Sequence, residues 1–244
     1  MRKATLCRSS VLIVVLVSGC GGGTSEPTAD GSTTAQPTSA ANAPVPAPLS
    51  RSAAPRALAH RALLSVNDLP GSGWQREDDS DPESSSDQRA SQMECIGQLR
   101  ALRTSDVLAA ATDGWSLSAD QDTKRVSTQV YVYNGSASAV AAMGEYRSLA
   151  TRCAAWQSGG VDEYAFNEQQ IVFSADLGDE AVARQKTTNA IDFPEIPAFS
   201  TYTVATRVAD TITVTSLTPG AALANGPGRA PAVELARKSV AKIS

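Results

Sequence analysis

The chain has 244 residues, of which 42% are hydrophobic, and its formal net charge is −4 at pH 7. The length allows one large domain or two small ones. An acidic chain without clustered Lys and Arg argues against a nucleic-acid partner, which needs cations to neutralise phosphates, and against electrostatic docking on anionic lipid.

The first 19 residues resemble a bacterial lipoprotein signal peptide. Basic residues within 1–8 precede an unbroken apolar run over 11–17, which is far shorter than the roughly 20 residues that span a bilayer as a helix. The sequence VSGC at 17–20 then resembles the lipobox, in which the cysteine receives a diacylglyceryl group and the signal peptidase cuts just before it. We therefore expect Cys20 to carry fatty acyl chains such as palmitate and to anchor the protein to the membrane. An ordinary secretory signal with an incidental cysteine is the alternative.

Residues 20–55 are predicted to be a tether. They are almost exclusively Gly, Ser, Thr, Ala and Pro, which leaves nothing to build a core from. A flexible segment of about 35 residues reaches on the order of 30 Å, enough to hold a domain away from a membrane surface. Wall attachment or O-glycosylation of this segment is an alternative role. The folded domain is expected over 56–244.

The four cysteines are sorted by this organisation. Cys7 leaves with the signal peptide and Cys20 takes the lipid, so Cys95 and Cys153 remain in an oxidising compartment, where one disulfide is expected. Both lie on apolar faces of predicted helices, so the bond would join two helices and contribute about 4 kcal/mol. Two free buried thiols are the alternative. His60 is the one histidine and cannot complete a zinc site with two cysteines, so no metal is predicted.

Hydrophobic periodicity predicts helices and one strand in the first half of the domain. In chain order, these are a helix over 57–64, an acidic loop over 76–88, a helix over 89–103, a strand over 126–133 and a helix over 137–157. The acidic loop lacks the alternating Asp/Asn and the turn glycine of a calcium-binding loop, which indicates a solvated surface loop.

The second half of the domain reads mainly as sheet. Strands are predicted over 169–175 and 179–188, and a Thr/Val-rich hairpin over 200–217 turns near Ala209. An amphipathic helix over 230–244 follows. Helices combined with antiparallel strands predict an α+β fold, a twisted antiparallel sheet with helices packed on it and one disulfide.

Catalytic motifs are missing from the sequence. A Ser-His-Asp triad needs a histidine, and His60 lies beside the tether on an Ala-rich helix, as expected for a surface residue. There is no GxSxG, no P-loop and no dinucleotide fingerprint. Acidic pairs such as Asp162-Glu163 are common in acidic proteins, and their pairing across a cleft cannot be read from one sequence. We predict no catalytic residue and no cofactor, although a cell-envelope hydrolase that works through carboxylates remains open.

Aromatic residues give the candidate lining of a ligand cleft. Trp115 falls in a predicted loop among polar residues, and Tyr131 and Tyr133 project from the strand face opposite Val130 and Val132. We take Trp115, Tyr131 and Tyr133 as candidates. Packing of the tryptophan against the edge of its own domain is the alternative.

These features together resemble one known family. The sequence LLSVNDLPGSGW at 63–74, a cysteine some twenty residues later, a Val/Tyr strand, a helix ending in YRSLATRCAAW and a late Thr/Val hairpin are similar to the PknH-type extracellular sensor domain. That family includes the extracellular part of an actinobacterial Ser/Thr kinase and many free-standing lipoproteins. The resemblance implies an α+β domain with a cleft for an unidentified ligand. The extracellular domain of that kinase has two disulfides, whereas only the Cys95–Cys153 pair could exist here.

The sequence therefore predicts a membrane-anchored, extracytoplasmic lipoprotein with a non-catalytic, sensor-like domain. Its expected partners are the membrane, through the lipid on Cys20, and an unknown small-molecule or envelope ligand. An enzyme that modifies cell-envelope polymer and an accessory protein of an envelope complex are the alternative functions.

Overall fold

The computed structural model describes residues 53–77, 94–119, 122–159, 165–220 and 228–243. These residues belong to one compact unit, Ala47–Ser244. The predicted signal peptide, Cys20, nearly all of the tether and most of the acidic loop lie outside them. Within the described ranges, no helix has the length and apolar character needed to cross a membrane.

In the described part of the chain, eight antiparallel strands form a single sheet in the order β1-β2-β3-β8-β7-β6-β5-β4. The strands are Gln75–Arg76 (β1), Val107–Ala119 (β2), Asp122–Tyr133 (β3), Ala155–Ser158 (β4), Phe166–Phe173 (β5), Glu180–Ala190 (β6), Phe199–Val208 (β7) and Thr211–Thr218 (β8). Strands that follow one another in the chain are neighbours except β3 and β4, and β3 pairs with β8 to join the two halves of the sheet. The predicted α+β fold with an antiparallel sheet is confirmed.

Helices pack on both faces of this sheet. They are α1 (Ala53–Arg61), α2 (Ser136–Arg152) and α3 (Arg229–Val240), with short 3-10 helices at Val66–Asp68 and Gln98–Leu102. The alternation of side chains along β3 separates the two layers. Val130 and Val132 pack against α1, whereas Tyr131 and Tyr133 pack against α2. Leu217 of β8 is the register partner of Val126, which lies on the same face of β3 as Val130. Helix α3 packs on β7 and β8 beside Val204 and Leu217, so it shares the α1 face.

The predicted disulfide is present. Cys95 lies in a helical turn at 94–96, and Cys153 is the C-cap residue that follows α2. Their Cα atoms are 5.4 Å apart and their sulfur atoms are bonded. The bond joins α2 to the segment that leads into the 3-10 helix Gln98–Leu102.

The predicted helix over 137–157 is too long at its C-terminal end. Helix α2 ends at Arg152, and Trp156 lies in β4, opposite Glu168 of β5. The apolar spacing that suggested further helix is overridden by strand pairing. The predicted helix over 89–103 is also shorter where it is described, with a turn at 94–96 followed by a 3-10 helix.

Strand β2 was not predicted, and the loop assignment of Trp115 is wrong because this residue lies in β2. The sequence VLAAATDGWSLSA is rich in Ala and contains Gly114, so it has low intrinsic strand preference. Register partners along almost the whole of β3 hold it extended. The late hairpin is confirmed, with its turn at Ala209, which adopts the left-handed φ of 51°.

Candidate functional site

Helix α2 covers only part of its sheet face. Its buried contacts on the sheet include Tyr131 of β3, Val182 of β6, Ala205 of β7 and Val214 of β8. Farther along the same strands, the side chains on this face become polar. The sequence therefore builds a face that is apolar under α2 and hydrophilic beyond it.

A cavity of about 1170 Å³ lies over this hydrophilic part of the sheet and extends to His60 of α1, which packs on the other face. Residues of β2, β3, β7 and β8 line it, together with Glu77 after β1, Arg103 and Thr104 after the second 3-10 helix, and the exposed His60. Its volume is slightly above the range of roughly 300–1,000 Å³ that is typical of ligand pockets. We call it the sheet cavity.

Rows of register partners form the floor of the sheet cavity. Ser127 of β3 lies between Gly114 of β2 and Ser216 of β8. In the next row, Arg125 of β3 lies opposite Thr218 of β8. Small and hydroxyl-bearing side chains keep this floor low, which leaves the space above it open.

The hydroxyl groups of the floor are paired across strands β7 and β8. The oxygens of Thr201 and Thr218 are 3.0 Å apart, and those of Thr203 and Ser216 are 3.2 Å apart. In each pair either group can donate, because a hydroxyl is both donor and acceptor. The floor can therefore reorganise its hydrogen bonds around a polar ligand.

Ion pairs fix the charged groups at the β1–β2 side of the cavity. The Arg125 Nε donates to Glu77 Oε1 at 3.1 Å, and the Arg76 Nε donates to Asp113 Oδ1 at 2.8 Å. Asp113 also accepts the Gly114 backbone N–H at 3.0 Å. Each carboxylate is thus held by an arginine from another strand.

Tyr131 lines the sheet cavity, as proposed for a cleft residue, although its side chain is largely buried. Its hydroxyl donates to Gln129 Oε1 at 2.6 Å and accepts from Arg103 Nε at 3.4 Å. The tyrosine therefore links the apolar zone beneath α2 to the polar wall of the cavity.

The other two predicted cleft residues lie elsewhere. Tyr133 is buried against α2, and its hydroxyl donates to the Leu102 carbonyl at 2.6 Å. Burial, and secondarily the neighbouring Tyr131, raises the pKa of Tyr133. Trp115 packs on the opposite face of the sheet, where its indole N–H donates to the Leu64 carbonyl at 3.3 Å. Neither lines the sheet cavity.

Most of the polar lining is not predicted from the sequence, including Ser127, Gln129, Ser216 and Thr218. The alternation of the predicted strand over 126–133 does place Ser127 and Gln129 on the face of Tyr131. What single-strand patterns lack is the pairing of β3 with β8, which brings the two polar rows together.

A buried cation lies under α2 on the same sheet face. The Nη1 of Arg184 donates to Gln98 Oε1 at 2.7 Å and to Gln170 Oε1 at 2.8 Å. The amide of Gln170 in turn donates to the Ala150 carbonyl of α2 at 2.7 Å. The guanidinium lies 5.6 Å from the ring centroid of Tyr146. This network fixes α2 on the sheet with neutral acceptors.

A second, shallower cavity of about 800 Å³ lies at the beginning of α3. The Arg229 guanidinium lies 5.1 Å from the ring centroid of Phe173 and donates to Gln185 Oε1. In neither cavity, nor elsewhere in the described ranges, do three His, Cys, Asp or Glu side chains converge in a way that could hold a metal ion.

Comparison with solved structures identifies this architecture. The extracellular domain of PknH from Mycobacterium tuberculosis matches with a TM-score of 0.55 and 14% sequence identity, over 77% of this chain and 95% of that chain. The fold is that of the PknH extracellular domain. A putative uncharacterized protein from Mycobacterium smegmatis, the Rv0999 ortholog, matches with a TM-score of 0.38 and 10% identity, over 76% of this chain and 96% of that chain.

No family model and no curated protein matches the sequence. The resemblance predicted from the sequence motifs is confirmed by the shared fold. At 14% identity the likeness establishes the arrangement of strands and helices, and the residues of the sheet cavity must be interpreted from their own chemistry.

Proposed function

We propose that this protein is an extracytoplasmic lipoprotein, anchored through Cys20, whose folded domain binds a ligand in the sheet cavity without catalysis. The observation that supports ligand binding most strongly is the cavity itself, a space of about 1170 Å³ beside α2 with a floor of small polar side chains. The shared fold with the extracellular domain of PknH supports a sensor-like role.

The chemistry of the cavity favours binding over catalysis. Glu77 and Asp113 are the carboxylates among its described lining residues, and each forms an ion pair with an arginine. Their oxygens are therefore engaged by protein groups, whereas a general acid or base must present its oxygen to the substrate. The alternative, an enzyme acting on envelope polymer, predicts turnover of purified wall polysaccharide or peptidoglycan, and we expect none.

The binding proposal is tested with two matched substitutions. Ala110 is an exposed alanine on β2 that lines the sheet cavity, whereas Ala141 is an exposed alanine on α2 that does not. Ala110→Phe places a ring in the cavity, and Ala141→Phe adds the same ring elsewhere.

Wild type and both variants are incubated with an extract of the cell envelope, washed and examined by native mass spectrometry. We expect a bound, non-covalent ligand on the wild type and on Ala141→Phe, and its loss from Ala110→Phe. A ligand retained equally by all three proteins, or by none, would contradict binding in the sheet cavity.

The anchor is tested separately with Cys20→Ser. We expect the wild type expressed in its own host to partition into detergent and to carry the added mass of diacylglyceryl and acyl groups. The variant should stay in the aqueous phase, because about 0.8 kcal/mol per buried CH₂ is lost with the acyl chains. Equal partitioning of the two proteins would refute lipidation.

A further inference from the structure

We infer that the sheet cavity takes a neutral ligand rich in hydroxyl groups, a saccharide in chemical class, which deepens and rests on the proposed binding function. The formal charge of the walls is the first argument. Among the described lining residues, Glu77 is paired with Arg125, and Asp113 is paired with Arg76, which does not line the cavity. Neither lining carboxylate is therefore left without an arginine, and Arg103 is bound to the Tyr131 hydroxyl.

The charged groups are also bound to the protein itself. Arg125 donates to Glu77 at 3.1 Å, and Asp113 accepts from Arg76 at 2.8 Å. Arg103 donates to the hydroxyl of Tyr131. An ionic ligand that bound Arg125, Glu77 or Asp113 would have to separate these ion pairs and leave one charge without its counterion, which is unfavourable in a partly desolvated site. A neutral polar ligand leaves them in place.

The floor offers hydroxyl groups at regular intervals. Ser127, Ser216, Thr201 and Thr218 all line the cavity. Neighbouring strands are about 4.8 Å apart, and side chains on one face recur about every 6.6 Å along a strand. Because each hydroxyl can donate or accept, such an array satisfies a ligand whose own polar groups are hydroxyls spread around a ring.

The size of the cavity indicates more than one ring. Its volume of about 1170 Å³ is slightly above the upper end of the range for pockets that bind drug-sized ligands. Gly114 also contributes to this space, because a Cβ there would project to 3.2 Å from Glu77 Oε2. The absence of a side chain at Gly114 keeps the floor accessible next to the Glu77–Arg125 ion pair.

The test uses the chain from residue 20 onward, with Cys20→Ser so that it remains in solution. Amide NMR shifts are followed during titration with neutral probes, namely glucose, mannose, galactose, arabinose and maltotriose. Inorganic phosphate and glucose 6-phosphate serve as the charged probes. Every titration is repeated at low and high NaCl, because screening weakens ionic binding and leaves neutral binding nearly unchanged.

Two double variants separate the hydroxyl floor from a general effect of losing hydroxyls. Thr201→Val with Thr218→Val removes a pair whose oxygens are 3.0 Å apart in the cavity. Thr187→Val with Ser200→Ala removes a pair whose oxygens are 3.1 Å apart and that does not line the cavity. Removing both members of a pair avoids leaving one of them unsatisfied.

We expect at least one neutral saccharide to shift the amides of β3 and β8 at the cavity, with little dependence on salt. The cavity double variant should weaken this binding by about fivefold or more, as the loss of a net hydrogen bond predicts, and the control should change it by less than about twofold. Salt-sensitive binding of only the phosphate-bearing probes in the cavity would overturn the neutral-ligand inference while leaving the proposed function standing. Unshifted cavity amides with every probe would also overturn it, and an empty cavity in the envelope-extract experiment would remove the proposed function as well.

Discussion

The Lys242 ammonium lies 2.6 Å from Asp68 Oδ2 and joins the segment that follows α3 to the 3-10 helix Val66–Asp68. The same carboxylate accepts the backbone N–H and the hydroxyl of Ser65, at 2.7 and 2.8 Å. Burial raises the pKa of Asp68, but the hydrogen bonds from Lys242 and Ser65 outweigh it and hold the pKa below its ordinary value. This contact fixes α3 beside α1 on the face opposite the sheet cavity.

The first prediction follows from the lowered pKa of Asp68. A carboxyl whose pKa is lower in the folded state contributes stability above its unfolded pKa, near 3.9, and loses it as the pH falls through the folded pKa. Asp68→Asn should therefore lower the free energy of unfolding at pH 6 by about 1 to 2 kcal/mol. Between pH 6 and pH 3 the wild type should lose more stability than the variant. Urea unfolding at several pH values measures both effects, and parallel pH profiles would contradict the assignment.

The second prediction concerns the glycine at the start of α3. A Cβ on Gly228 would overlap the Tyr202 ring, and Tyr202 is buried. Gly228→Ala should lower the free energy of unfolding by about 1 to 3 kcal/mol through overpacking.

The matched control for that substitution is Gly144→Ala. Gly144 is exposed in the interior of α2, and its Cβ would meet no atom within 4 Å. The change should stabilise the protein by roughly 0.5 to 1 kcal/mol, because alanine is the better helix former. Thermal unfolding of both variants gives the comparison, and equal shifts of the two Tm values would refute the packing argument.

The third prediction concerns the buried cation under α2. Arg184→Met leaves Gln98 Oε1 and Gln170 Oε1 without the donor they now share. Unsatisfied buried acceptors cost about 1 to 3 kcal/mol each, and removal of the buried charge offsets part of this. We expect a net loss of about 1 to 3 kcal/mol in chemical denaturation. Lys124→Met on β3 is the control, expected within about 0.5 kcal/mol of wild type, and a neutral Arg184→Met would show that the network contributes nothing net.

The fourth prediction concerns the disulfide. Cys95 and Cys153 are separated by 58 positions, and a loop of this length contributes about 4 kcal/mol in the chain-entropy account. Replacing both cysteines by alanine should lower the unfolding free energy by about that amount. A reducing agent should have the same effect on the wild type and none on the double variant. If oxidised, reduced and substituted proteins unfold alike, the bond has no stabilising role.

Much of the fold is readable from the sequence because its strongest signals are local. The Val/Tyr alternation of β3 and the Thr/Val hairpin of β7 and β8 reflect two-sided strands, and their turn at Ala209 was located correctly. Strand β2 was missed because its Ala-rich sequence has little strand preference of its own and depends on pairing with β3. Trp156 was misplaced for the same reason, because local periodicity does not reveal its pairing with Glu168 on the adjacent strand β5.

The candidate site was less predictable than the fold. Tyr131, a predicted cleft residue, lines the sheet cavity, because it lies on the face opposite Val130. Tyr133 has the same alternation, yet it is buried because α2 covers that end of the strand. How far a helix extends over a sheet face depends on tertiary packing, and that extent decides which polar residues line the cavity.

The most direct test of ligand binding in the sheet cavity is a crystal structure of the protein with the ligand captured from the envelope extract. We expect ligand density over β3 and β8, in hydrogen-bond contact with the floor that contains Ser216 and Thr218. Density at the shallower cavity beside Arg229, with only water over the sheet, would contradict the account.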